Sequence, residues 1–188
     1  MPDIHSMLDR IALIADLVAR APATGLGRTA IMKCLFFLKV VKDVPLPYRF
    51  RLYTYGPFDS DVLDDLQYAQ ALGAVEGTLV AYPGGRGYVY RRGPKIDEVE
   101  GPAREFLSRH KDSIDWVLGE FGARTAIDLE MASTLVYVDR GMLREGKERT
   151  TLAELARKVH DVKPHLALDT IEQEARTLKQ KGLLRTAA

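Results

Sequence analysis

Cysteine is almost missing from this sequence. Cys34 is the only one among 188 residues, which excludes an intramolecular disulfide and a cysteine-based zinc site. Long apolar runs are missing too, and none approaches the roughly 18–20 residues that span a bilayer. The opening MPDIHSMLDRIALIADL carries acids and a helical stripe, not a basic region followed by an apolar block, so it does not read as a secretory signal. A net charge of +1 leaves no global attraction to nucleic acid or anionic membrane, although a local patch could still serve. Enzyme signatures are absent as well: no G-x-S-x-G, no Walker A loop, no H-E-x-x-H and no strand-to-helix G-x-G-x-x-G. The histidines, at positions 5, 110, 160 and 165, are scattered. A cytoplasmic, non-catalytic protein without cofactor or metal is expected.

The chain is organised around YTYGPFDSDVLDDLQYAQALGA, residues 53–74. Tyr48 to Tyr55 alternates, with Tyr48, Phe50 and Leu52 on one face and Arg49, Arg51 and Tyr53 on the other, the period of a half-buried strand. Gly56 can take a positive φ and Pro57 fixes the next one, so the chain turns sharply. Asp59 or Ser60 caps a helix whose apolar stripe is Val62, Leu63, Leu66 and Ala69, with Asp61, Asp64, Asp65 and Gln67 on its surface. Gly73 ends it.

Upstream, Ile4, Met7, Leu8, Ile11, Ile14, Ala15 and Val18 recur at helical spacing, with Asp3 or Ser6 as the cap and Pro22, Gly25 and Gly27 as the stop. A second helix spans about 28–41 and is apolar on most sides, leaving Lys33, Lys39 and Lys42 for solvent. Cys34, inside that run, reads as an inert buried thiol. Downstream, Val75 to Tyr82 and Gly87 to Arg92 flank the turn Pro83-Gly84-Gly85-Arg86 and read as a β-hairpin. Helix, helix, strand, helix, hairpin is the order of a winged helix-turn-helix. Gly93 to Gly101 reads as a polar connector, dividing a winged-helix-like module at 1–95 from a helical module at 96–188, the two packed as one compact unit.

In the second module, Pro102 opens a helix carrying Phe106, Leu107, His110, Ile114, Val117, Leu118 and Phe121. His110 reads as a hydrogen-bonded core histidine, and Trp116 is placed to cover an interface between helices. Thr125 with Asp128 approximates a capping box for a helix closed by Gly141. Arg144 to Arg149 is a charged connector. Thr151-Leu152-Ala153-Glu154 is a full capping box, Val162-Lys163-Pro164-His165 turns the chain, and Ile171, Ala175 and Leu178 carry a last helix to Gly182. Three helices with such a turn look like a second helix-turn-helix. The expected class is mainly α with a small antiparallel β-sheet, α+β.

Helix-turn-helix order suggests DNA, and charge tests it. A groove helix normally presents Arg, Lys, Asn or Gln. The helix from Asp59 to Leu72 carries Asp59, Asp61, Asp64 and Asp65 and no basic residue, and the last helix opens on Asp169, Glu172 and Glu174. Both are poor groove readers. The hairpin differs: Arg86, Arg91, Arg92 and Lys95 cluster without an acid between them, with Arg49 and Arg51 expected to join them across the sheet. That basic edge suits phosphate or an acidic protein, and equally serves as charge protecting a strand edge.

Tyr55-Gly56-Pro57-Phe58-Asp59-Ser60, the preceding Lys33-Cys34-Leu35-Phe36-Phe37-Leu38 helix and the Leu72-Gly73-Ala74-Val75 ending resemble the Panacea domain group, the SocA-like antitoxin-associated proteins and related YwgA-type bacterial proteins. The likeness covers about residues 28–80. The Lys163-Pro164-His165-Leu166 turn is similar to that of the YwgA-type proteins. Cys34 and Phe36 stand where a Leu-Tyr pair is common. The resemblance implies a helical protein that acts by contact, antitoxin-like or adaptor-like, with no inherited catalytic residue. It implies a partner protein such as a toxin, bound around Tyr55, Gly56, Pro57, Phe58, Asp59 and Asp61. The alternative is a winged-helix DNA-binding regulator, dimeric, that reads through its basic hairpin.

Overall fold

The computed structural model describes residues 7–82, 85–146 and 150–185. The expected helix start at Ile4 with its Asp3 or Ser6 cap, the Pro83-Gly84 turn and the end of the charged connector lie outside them. Helices dominate, joined by a three-stranded antiparallel sheet and a two-stranded one. Among the described residues no helix is long and apolar enough to cross a membrane.

Two compact units divide the chain. The first comprises the described residues up to Arg51 together with Phe58–Arg124, and the second Leu52–Pro57 together with residues from Thr125 onward. The division therefore follows Arg124 and not the 95/96 connector. The supposed connector contains α4 (Ile96–Glu100), which buries Ile96 and Val99 and packs on the helix of Met7–Arg20.

In the first unit, α1 (Met7–Arg20) leads to β1 (Leu26–Gly27), α2 (Arg28–Val40), α3 (Ser60–Ala71), β4 (Val75–Tyr82) and β5 (Gly85–Arg92). The sheet order is β1-β5-β4, with β5 in the centre. The two-residue β1 was not expected; Leu26, facing Tyr90, buries against the hairpin there. Gly25 has φ +77, and an added Cβ would come 2.6 Å from Tyr90 O, so the close approach of β1 to β5 needs glycine.

Between α2 and α3 runs a long excursion in place of a tight turn. From Tyr48 its side chains alternate as expected, with Tyr48 buried and Phe50 and Leu52 half-buried while Arg49, Arg51 and Tyr53 are exposed; the alternation also reaches back over buried Val44 and Leu46, where only a loop was expected. Only Arg51–Tyr53 (β2) and Gly56–Phe58 (β3) form strands, paired with each other. Residues 44–50 keep the extended alternation without a neighbouring strand, and Lys39 Nζ instead takes the Leu46 and Tyr48 carbonyls at 2.6 and 2.5 Å. Burial holds the Lys39 pKa below its ordinary value.

The expected long helix after Pro102 is broken. The chain forms α5 (Arg104–Arg109) and α6 (Lys111–Phe121), with His110 at the joint, half-buried against the Phe106 ring at 4.7 Å. Phe121 stacks on Phe37 at 3.8 Å, and Trp116 meets Phe121 edge-on at 5.6 Å under Lys42. Lys33, expected in solvent, is buried among the α2 residues. Cys34 is fully buried, and desolvation pushes its pKa up to about 12.

In the second unit, α7 (Ala126–Arg144) starts at a Thr125 cap and runs past Gly141, where no neighbouring atom forces an end. The Thr151–Glu154 capping box opens α8 (Leu152–Val162). Residues 163–167 turn into α9 (Leu168–Gln180), whose Ile171, Ala175 and Leu178 are buried, and Leu183 and Leu184 fold in after Gly182. The three helices pack on one another.

Candidate interaction surface

α3 is built on a buried acid and shows two others. Asp59 caps it, accepting from Asp61 N at 3.0 Å, and also takes the Arg49 backbone N–H. Asp65, expected at the surface, is 3 % exposed. Its carboxylate accepts two bonds from Arg10, at 2.7 and 3.1 Å, and one from the Tyr48 hydroxyl at 2.8 Å. The fork geometry of arginine suits this bidentate contact. Burial, reinforced by the Asp65 charge, drives the Tyr48 hydroxyl pKa well upward, so the phenol stays protonated and donating. One carboxylate thus ties α1, the excursion and α3 together.

The remaining face of α3 is open. Asp61, Asp64, Tyr68 and Leu72 follow one another at spacings of three, four and four and share one side of the helix. Tyr68 is 52 % and Leu72 45 % exposed. Asp61 and Asp64 have no ion pair among the described residues. A negative half followed by an apolar half is the surface of this helix.

The basic hairpin is less concentrated than expected. Arg91 and Arg92 are successive residues of β5 and point to opposite faces. Arg92 pairs with Asp97 at 3.1 Å, while Arg91 stands opposite Glu76 and donates to Thr24 O at 3.3 Å. Lys95 lies along Gly73, its Cδ 3.2 Å from where a Cβ would sit. Arg86 is exposed near the tip. Arg49 and Arg51 do not join this group across the sheet: β2 pairs with β3, and the hairpin sheet contains only β1, β5 and β4. A cavity of about 650 Å³ in the first unit sets Asp16, Asp97 and Glu100 among Arg20, Arg104 and Lys111. Burial, then the Asp16 charge, raises the Glu100 pKa. Arg20 pairs with Asp16 at 2.9 Å and Lys111 with Asp115 at 2.6 Å, so this cleft largely neutralises itself.

The Tyr55–Phe58 turn is fastened in the second unit. Lys163, 3 % exposed, donates to Tyr53 O at 2.8 Å and to Thr54 O. Its charge is met by Glu130, also buried, at 3.0 Å, and His165 Nε2 lies 3.2 Å from the same oxygen. Gly56 has φ +86, and a Cβ there would come within 3.1 Å of the Ser133 and Thr134 hydroxyl oxygens. Gly56 and Pro57 are buried, Phe58 is half-buried, and Tyr53 and Tyr55 are each 67 % exposed. The turn therefore offers two tyrosines and hides its glycine and proline. Lys163 and Glu130 escaped sequence reasoning because nothing local marks a lysine in a turn or a glutamate in a helix as a pair 33 residues apart.

Among the described residues no group of three or more His, Cys, Asp or Glu side chains could hold a metal ion. The fold is mainly α with a small antiparallel β-sheet, α+β. No family model matches it, and no curated protein matches it.

Proposed function

We propose that the chain is a non-catalytic protein-interaction module, antitoxin-like or adaptor-like, working in the cytoplasm through the open face of α3. What carries this is the content of that face: Asp61 and Asp64 with no ion pair among the described residues, continued by exposed Tyr68 and Leu72. Duplex DNA places phosphates on both sides of any helix in its groove, and two free carboxylates there are repelled. A protein partner with a basic and apolar surface is attracted by the same residues, since aromatic anchors beside complementary charge are what interfaces use. The two exposed tyrosines of the excursion and the likeness of its turn to the Panacea group support the same role.

DNA reading through the hairpin is the alternative, and Arg86, Arg91 and Arg92 are its residues. Their placement on two faces and the Arg92–Asp97 pair weaken it. Fluorescence anisotropy with duplex DNA across a salt series separates the two. A protein-binding role predicts no sequence-selective binding and no change in Arg86→Ala/Arg91→Ala/Arg92→Ala. Tight selective binding whose salt slope flattens in that triple variant would overturn it.

A further inference from the structure

β4 is the outer strand of its sheet, with β5 on one side only. Gly93 N donates to Ala74 O at 2.9 Å, one pair beyond Val75 and Arg92 in the ladder. Antiparallel ladders alternate bonded and non-bonded pairs. Glu76, Thr78, Val80 and Tyr82 therefore bond to β5, while Gly77, Leu79 and Ala81 turn their N–H and C=O groups to the open edge. Proteins usually guard such an edge with lysine, proline or a bulge. Here the register is unbroken over eight pairs, and Glu76 is the one charged residue of the strand. At mid-strand, Leu79 is 52 % exposed and stands opposite Tyr88, 38 % exposed. The Arg28 guanidinium lies 4.6 Å over the Tyr88 ring and donates to the Tyr90 hydroxyl at 3.0 Å, fixing that row.

We propose that β4 pairs antiparallel with β4 of a second copy about a two-fold axis at Leu79, joining two sheets into one of six strands. The outward main-chain groups then meet: Leu79 faces Leu79, and Gly77 faces Ala81. Thr78 faces Val80, and Glu76 faces Tyr82. One face of the joint sheet carries Tyr88, Leu79, Leu79 and Tyr88 in a continuous row. Charge selects the direction. Parallel in-register pairing would stack Glu76 on Glu76, whereas the antiparallel register separates them by about 20 Å along the strand. A second copy fits better than an unrelated strand because the edge is self-complementary, presenting the same apolar residue to itself as a two-fold contact requires.

Sedimentation equilibrium of the full chain tests this. The expected species is a dimer of about 42 kDa, twice the chain mass of 21.0 kDa. Leu79→Lys should weaken association at least tenfold while its far-UV circular dichroism stays that of the wild type, and only the wild type should melt at a temperature that rises with concentration. Two cysteine variants test the register. Leu79→Cys should form a covalent dimer under diamide, because a bonded antiparallel pair sits about 5.5 Å apart at Cα, within disulfide reach. Thr78→Cys, which faces Val80, should not, and buried Cys34 does not compete. A monomer at every concentration up to the millimolar range overturns the proposal. So does wild-type association of Leu79→Lys, or equal cross-linking of the two cysteine variants.

Discussion

α3 and α9 both carry an acid in their first turn, yet they treat solvent differently. α9 opens on Asp169, whose carboxylate takes the Thr170 N–H at 2.7 Å, and pairs Glu172 with Arg176 at 3.8 Å. It exposes no large hydrophobic residue. α3 gives Asp61 and Asp64 no ion pair among the described residues and adds Tyr68 and Leu72 to the same face. On α9 these charges serve the helix itself; on α3, among the described residues, the ion pair is made by the buried acid, Asp65. An acidic helix therefore does not by itself define an interface, because α9 answers its charges locally while α3 leaves a face open.

Substituting acids on the two helices sharpens this contrast most. Asp65→Ala strands the partly buried Arg10 guanidinium and the Tyr48 hydroxyl, and should cost about 3–5 kcal/mol in urea unfolding. Glu172→Ala, which breaks a longer and more exposed pair, should cost no more than about 0.5 kcal/mol. Similar costs would mean that α3 has no buried anchor distinct from the charges of α9. A smaller effect is expected at the excursion that feeds α3. Gly56→Val demands a positive φ of a β-branched residue and pushes on Ser133 and Thr134, at a cost of about 1–3 kcal/mol by thermal unfolding. An unchanged melting temperature would show that the turn is not held as closely as its geometry states.

Local chemistry made much of this fold legible. Asp59, Thr125 and Thr151 cap helices as their side chains suggest, Gly73 and Gly182 end them with positive φ, and the two hairpin strands pair around their turn. Illegible were the features set by distant partners. Asp65 looks like its neighbours in sequence and is buried only because Arg10, 55 residues away, meets it. Lys33 looks solvent-bound and is buried because α2 is covered on nearly every side. β1 is two residues long and exists only through its pairing with β5. Of the candidate site, Asp61 and Asp64 on an acidic helix and Tyr55 in the turn were readable, while the exposed Tyr68 and Leu72 on the same helix face were missed. The dispersal of the basic hairpin residues was not, since it depends on which strand β2 pairs with.

The central claim is that the open face of α3 binds protein. Its most direct test is a tagged, nuclease-treated pull-down at low and moderate salt, run with the wild type beside Asp61→Lys/Asp64→Lys. Both substitutions lie on exposed positions, so the double variant should fold as the wild type does. The prediction is one stoichiometric protein that survives nuclease and moderate salt with the wild type and is lost with the double variant. Recovery of the same protein by both, or of nothing but DNA that salt removes, would contradict it.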